Sequence, residues 1–184
     1  MLARSGAMTR FASRTLVIAC AVAALVAGAW YAWSTLGRGS SAVGQPAAAL
    51  VGTTLPDPDG KDQALSQWSG KVLVVNFWAT WCAPCREEMP MFMRFQRELG
   101  PKGLQFVGIA VDQPDKVKQF AGELQLNYPA LIGGYGAMEL SKVMGNSVMA
   151  LPFTVIVDRE GRVAHTQLGA LKEAQLADIL SKLL

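Results

Sequence analysis

Between Arg14 and Arg38 the chain carries 23 consecutive uncharged residues, with apolar side chains densest at Leu16–Trp33. Coiled as a helix, Leu16–Trp33 would span about 27 Å at ~1.5 Å per residue, enough for a hydrocarbon core. From Gly37 to Ala49 the pattern gives way to Gly, Ser and Ala with Pro46. That composition suits a flexible tether with an r.m.s. reach of about 20 Å. Turn chemistry in Leu55-Pro-Asp-Pro-Asp-Gly60 and Gln67-Trp-Ser-Gly70 brackets a short N-terminal hairpin or strand. Val72–Trp78 is apolar except for Asn76, the pattern of a strand buried on both faces. Residues 82–99 predict a helix broken or kinked near Pro90. Leu104–Val111 is the next β-rich run and completes a β-α-β unit. A helix should start at Pro114 and continue to about Leu124. A short strand at Pro129–Ile132 and a short helix at Ala137–Met144 follow. Phe153–Val157 and Arg162–Leu168 read as a hairpin turned by Asp158-Arg-Glu-Gly161. Leu176, Ile179, Leu180 and Leu183 fall at i, i+3, i+4 and i+7, one face of an amphipathic helix. The expected organisation is a cytoplasmic stub and membrane helix over 1–36, a tether over 37–49, and an α/β sandwich over 50–184 with a mixed central sheet flanked by helices.

Composition sharpens this picture. With 51% hydrophobic and 17% charged residues, the chain is neither disordered nor fibrous. The net charge of +3 comes from Arg4, Arg10 and Arg14, which precede the apolar run with no acidic companion. From residue 38 onward 14 basic and 14 acidic residues cancel, leaving no nucleic-acid footprint. Arginines ahead of the run hold the N-terminus in the cytoplasm and export the remainder, while Trp30, Tyr31 and Trp33 suit an outer aromatic belt. Two variants also export the domain. A signal peptidase using Ala27 and Ala29 would release a form beginning at Trp30. Val17-Ile18-Ala19-Cys20 loosely matches a lipidation site, but the apolar run continues well past Cys20, where a lipidation site should close it.

Candidate chemistry concentrates at Trp81-Cys-Ala-Pro-Cys85, after the buried strand and at the start of a helix. Two residues between cysteines in a first helical turn let the sulfurs join without deforming the backbone. The unpaired N–H groups and positive dipole end of the helix favour thiolate. Cys82 would be the exposed nucleophile, and Cys85, deeper in the turn, would resolve the mixed disulfide. Zinc needs about four ligands, and beyond the apolar run these cysteines and His165 are all the sulfur and imidazole ligands on offer.

The stretch Asn76-Phe-Trp-Ala-Thr-Trp-Cys-Ala-Pro-Cys-Arg-Glu-Glu-Met-Pro90, together with Ala150-Leu-Pro-Phe-Thr-Val-Ile-Val-Asp158, resembles the TlpA/ResA-like family of thioredoxin-fold thiol–disulfide oxidoreductases, which carry a redoxin-type domain. The resemblance covers about residues 50–184. It implies a thioredoxin-like fold, a redox-active Cys82–Cys85 pair, no cofactor, and tethering to the bacterial inner membrane with the domain in the periplasm. It implies that Pro152 is cis and that Leu151 beside it pairs with an incoming substrate strand. Thioredoxins at large place an aspartate just before Phe-Trp-Ala, where this chain has Asn76, an amide that cannot act as a base. Glu88, three residues after Cys85, matches the family's acidic residue near the dithiol and is expected to relay the Cys85 proton from a partly desolvated site.

The implied activity is reduction of disulfides in exported proteins, fed by a membrane electron-donor protein. Apocytochrome c and the copper-site cysteines of an oxidase assembly factor are the candidate clients. Relatives dedicated to cytochrome c often carry Gly-x-Pro-Glu at the cis-proline, whereas this chain has Ala150-Leu-Pro-Phe153, which favours the broader class. A disulfide oxidant and a copper(I) metallochaperone using the two thiolates are the alternatives. A peroxidase is disfavoured, because the Pro-x-x-x-Thr/Ser-x-x-Cys pattern precedes neither cysteine. Trp78 is assigned to the core and Trp81 to the substrate surface. Met89, Met91 and Met93 do not share one helical face and read as packing residues rather than a copper site. His165 is expected at the surface, and Gly133-Gly-Tyr-Gly136 as a loop.

Overall fold

A computed structural model describes residues 45–184, together with Gly28. The membrane helix expected within 1–36 and the tether over 37–44 lie outside the described residues. No helix among the described residues is long and apolar enough to cross a membrane.

The first described element is helix α1, Gln45–Val51, where the end of the tether was expected. Ala47 and Leu50, one turn apart, are fully buried, and Leu50 joins a core formed by residues far along the chain. The small residues that read as linker are equally good helix formers, and Leu50 supplies the anchor. The folded domain therefore begins before residue 50. Strands β1 (Thr54–Pro56) and β2 (Asp62–Ala64) then form the small antiparallel hairpin. Its turn is held by Asp57, whose Oδ1 accepts from the amides of Asp59 and Lys61 at 3.0 Å each.

The main sheet has five strands: β3 (Val72–Trp78), β4 (Leu104–Ala110), β5 (Ala130–Ile132), β6 (Phe153–Val157) and β7 (Val163–Leu168), in the order β5-β4-β3-β6-β7. β3 runs parallel to β4 and antiparallel to β6. It is buried along its whole length, as its apolar run demands. Alternate side chains feed two cores. Leu73, Val75 and Phe77 pack with Val107, Ile109, Val155 and Leu50 on one face. Val72 and Val74 pack with Leu104, Phe106 and Ile156 on the other.

Helix α2 (Ala83–Leu99) and the C-terminal helix α5 (Glu173–Leu183) cover the second face through Phe92, Phe95, Leu176 and Leu180. Each such side chain contributes roughly 1.5–3 kcal/mol by leaving water. α2 is one continuous helix rather than a broken one. Pro90 is exposed, as is Arg86 four residues earlier, so the carbonyl that loses its helical partner is open to water. Helix α3 (Pro114–Leu124) follows β4 as expected.

Helix α4 (Gly134–Val143) begins within the glycine cluster read as a loop. Its cap, Gly133, lies so close to its neighbours that a Cβ there would stand 2.5 Å from Ala137 Cβ and 2.7 Å from Ile109 Cγ2. The glycines let the helix start tight against β4.

Candidate active site: a dithiol above a buried carboxyl

β3 ends at Trp78, and the following loop delivers Cys82 to the N-cap of α2 with extended backbone angles (φ −84°, ψ 100°). The Cys82 carbonyl accepts from the Arg86 amide at 3.2 Å, and Ala83 and Pro84 form the first turn. Cys82 and Cys85 are joined as a disulfide with 5.3 Å between their Cα atoms. Cys82 is 6% exposed and Cys85 is fully buried. The expected order of access holds, but in this oxidised state Cys82 is enclosed rather than exposed. Leu151 of the opposing loop belongs to the same apolar cluster as both cysteines and Met89. Trp81 instead projects into solvent, 68% exposed, at the rim of the site, while Trp78 is core.

The loop carrying the dithiol is braced from β4. Asp112, just beyond that strand, accepts a hydrogen bond from the Thr80 hydroxyl and a second from the Thr80 amide at 3.2 Å. Its other oxygen accepts from the Gln113 amide, just ahead of α3, at 2.8 Å.

One turn after Cys85, Glu88 points into the protein and is only 4% exposed. Oε1 accepts from Asn76 Nδ2 at 2.8 Å, and Oε2 accepts from the Leu171 amide at 2.9 Å. Asn76 Nδ2 also donates to Thr154 Oγ1 on β6 at 3.0 Å. Burial pushes the Glu88 carboxyl up to about 7, against the opposing pull of the Leu171 and Asn76 hydrogen bonds. Burial, and secondarily the charge of Glu88, also raise the Tyr128 phenol. Asn76 Oδ1, Trp78 Nε1 and Tyr128 OH are buried without a hydrogen-bond partner among the described residues.

Leu151–Pro152 is cis, the isomer the resemblance implies. The preceding loop is organised by Asn146, 1% exposed, whose amide group donates to the Ala150 carbonyl at 2.9 Å and accepts from the Ala150 amide at 3.1 Å. The Pro152 carbonyl accepts from Gly169 at 2.9 Å. Among the described residues, the backbone N–H and C=O of Leu151 make no hydrogen bond within the domain.

The structure thus brings together Cys82, Cys85, Glu88, Leu151 and Pro152, with Trp81 at the edge. The sequence marked Asn76 as a polar interruption but not as a partner of Glu88. Thr154, Asn146 and the Leu171 amide went unforeseen. A threonine inside an apolar strand was a signal; a backbone amide on a distant loop offered none. The methionines do not converge: Met89 packs with Cys85, whereas Met91 and Met93 border the other core. His165 is half-buried on β7, with Gln175 Nε2 at 3.5 Å from its Nε2.

Residues 42–183 match the family model described as Redoxin. The chain belongs to the Redoxin family. This redoxin is 32% identical over 142 residues to the thiol-disulfide oxidoreductase ResA of Bacillus thuringiensis subsp. konkukian, covering 77% of this chain and 78% of that protein. It is 28% identical over 167 residues to ResA of Bacillus subtilis, covering 90% and 87%. Among solved structures, it is similar to a thiol:disulfide interchange protein of the thioredoxin family from Chlorobium tepidum, with a TM-score of 0.65, 28% identity, and coverage of 71% and 92%. The thioredoxin-like α/β fold and thiol–disulfide oxidoreductase activity follow for this redoxin.

Proposed function

We propose that this redoxin is a membrane-anchored reductase of disulfides in exported proteins, with its thioredoxin-like domain on the periplasmic side of the inner membrane. The observation that carries the chemistry is the pairing of a dithiol at a helix N-terminus with a buried carboxyl one turn below it. In the reduced protein, the Cys82 thiolate attacks one sulfur of a substrate disulfide. A Cys82–substrate bond forms, the substrate's own S–S bond breaks, and the departing substrate thiolate takes a proton from water. Glu88 then accepts the Cys85 proton. The Cys85 thiolate attacks the Cys82 sulfur, forming the Cys82–Cys85 bond and releasing the second substrate thiolate. Two electrons pass to the substrate. A carboxyl titrating near 7 is well matched to taking and returning a proton at neutral pH. The Leu151 backbone and exposed Trp81 supply a place for the extended segment around the substrate cysteine.

Returning the disulfide to the dithiol in an oxidising compartment requires electrons from a membrane-bound dithiol donor. The N-terminal apolar run supports anchoring and export. Apocytochrome c and copper-site cysteines of an oxidase assembly factor are the clients we propose, both being exported dithiols that must be kept reduced. The test is the reduction potential of the Cys82/Cys85 pair in the full chain, equilibrated against glutathione or dithiothreitol. A value near or below about −220 mV supports the reductase. A value near about −120 mV makes the protein a disulfide donor and reverses the proposed direction.

A further inference from the structure

The hydrogen bonds around Glu88 suit only one of its two protonation states. Both groups that reach its carboxyl, Asn76 Nδ2 at 2.8 Å and the Leu171 amide at 2.9 Å, are donors, the arrangement an ionised carboxylate requires. It leaves Asn76 Oδ1 buried without a partner, an uncommon condition for an amide oxygen in a protein interior. The relay proposed above also passes through a protonated Glu88, in which one oxygen becomes a donor. An O–H on Oε1 would meet the Asn76 N–H donor against donor.

A half-turn of the Asn76 amide about its last side-chain bond removes the conflict. The O and NH2 ends of the amide have nearly the same size, so the turn exchanges their places with little change in packing and carries the NH2 group to the position where Oδ1 now has no partner. Oδ1 then lies where Nδ2 was, able to accept from the Glu88 O–H. The third member of the group permits this. Thr154 Oγ1, now accepting from Nδ2 at 3.0 Å, is a hydroxyl and can instead donate to Oδ1 by rotating its own hydrogen. The Leu171 amide holds Oε2 in both states, because a carboxyl C=O accepts as a carboxylate oxygen does. Asn76 and Thr154 are cross-strand partners on β3 and β6, so their separation is fixed by the sheet.

We propose that the Asn76 amide turns over with each proton that Glu88 takes from Cys85, its NH2 end facing the ionised carboxylate and its oxygen facing the protonated acid. The inference rests on Glu88 acting as the proton acceptor. Asn76 is a positioning residue: its side chain bonds to Glu88 and Thr154, and it acts by giving both forms of Glu88 a partner in the same place. An aspartate could not do this, since an ionised carboxylate there only accepts and would face Glu88 charge against charge. The titratable groups around Glu88 are few. Cys85 lies one turn earlier on the same buried side of α2, and Tyr128 ahead of β5 is coupled to its charge. β3, β6 and the loop before α5 contribute Asn76, Thr154 and the Leu171 amide.

The test is side-chain NMR of the isotopically labelled full chain with the disulfide intact, so that neither cysteine titrates, followed from acid to alkaline pH. The Glu88 carboxyl carbon reports its ionisation. The Asn76 NH2 signals report the orientation of the amide through their hydrogen-bond coupling to Glu88 and their exchange with solvent. The expected result is coupling on the alkaline side, loss of that coupling on the acid side with faster exchange of the NH2 protons, and one midpoint shared with the Glu88 carbon. If the Glu88 carbon titrates while the Asn76 coupling persists throughout, the turning amide is overturned and the relay stands. If the Glu88 carbon does not titrate around neutrality, both fall.

Discussion

Glu88→Gln isolates the energetic consequence of burying an acid without a cation. In the folded protein the Glu88 carboxyl sits at about 7, raised from the 4.5 of a solvated glutamate. Between those values the folded state binds more protons than the unfolded chain, so stability falls as pH rises through that interval. The destabilisation is absent well below the unfolded value and fully developed above the folded one. With those two values, raising the pH from about 5 to about 8 costs the wild type about 2–3 kcal/mol through this residue alone. Glutamine keeps the shape but cannot ionise. With its oxygen toward the Leu171 amide, its NH2 group faces Asn76, whose own amide can turn to accept from it, and any residual hydrogen-bond cost does not change with pH. The informative quantity is therefore the slope with pH rather than the absolute stability. Urea unfolding of the full chain with its disulfide intact, followed by tryptophan fluorescence at the two pH values, reads it directly. Groups common to both proteins cancel in the comparison. At a typical urea slope of about 2 kcal/mol per molar, the wild-type midpoint should fall by about 1 M more than that of the variant. Equal pH slopes for wild type and Glu88→Gln would refute the raised carboxyl and the burial argument beneath it.

Other substitutions probe the rest of the site. Cys85→Ser should leave Cys82 able to attack but remove the resolving thiol, so incubation of the reduced protein with a disulfide peptide should accumulate a mixed disulfide visible by mass spectrometry; absence of the adduct would contradict the assignment of Cys82 as nucleophile. Asn76→Asp sets two carboxyl groups at hydrogen-bond distance in a dry site, where both cannot ionise together. Carbon NMR should show the pair titrating in two separated steps, the upper one above the single step of the wild type. Trp81→Ala, at an exposed rim position, should leave the stability read from urea unfolding within about 0.5 kcal/mol of wild type while slowing reduction of a protein disulfide more than of a small-molecule disulfide; equal slowing would remove Trp81 from the substrate surface. Gly133→Ala inserts a methyl 2.5 Å from Ala137 Cβ and should cost about 1–3 kcal/mol, with a lowered urea midpoint as the readout.

The parts of this molecule that the sequence made legible are those decided by neighbours within a turn or a strand. The buried run Val72–Trp78, the hairpin at Asp158–Gly161 and the apolar face of α5 depend on local period and turn chemistry, and each folds as that period dictates. The dithiol and Glu88 were legible for the same reason, since one helix spaces them. Where the outcome depended on a distant partner, local composition was ambiguous. Ala47–Leu50 has the small residues of a linker and becomes a helix because a core assembled from β3, β4 and β6 receives Leu50.

The buried polar group beneath the dithiol lies between these cases. Asn76 interrupts the apolar run of β3, and Thr154 interrupts that of β6. A polar side chain in a strand buried on both faces is costly unless something satisfies it, so two such intrusions already imply that they meet each other or a third group. What local pattern cannot supply is the register that sets Asn76 opposite Thr154, or the loop that returns Leu171 to Glu88 from 83 residues away. The opposite neighbour of Asn76 on β4 is Gly108, where a Cβ would stand 2.7 Å from Trp78 Nε1. Asparagine, threonine and glycine at one level of three adjacent strands interrupt the apolar pattern of the sheet where β3 approaches the cysteines. The sheet gives up apolar packing at that level, and the buried carboxyl that the dithiol chemistry calls for is held there.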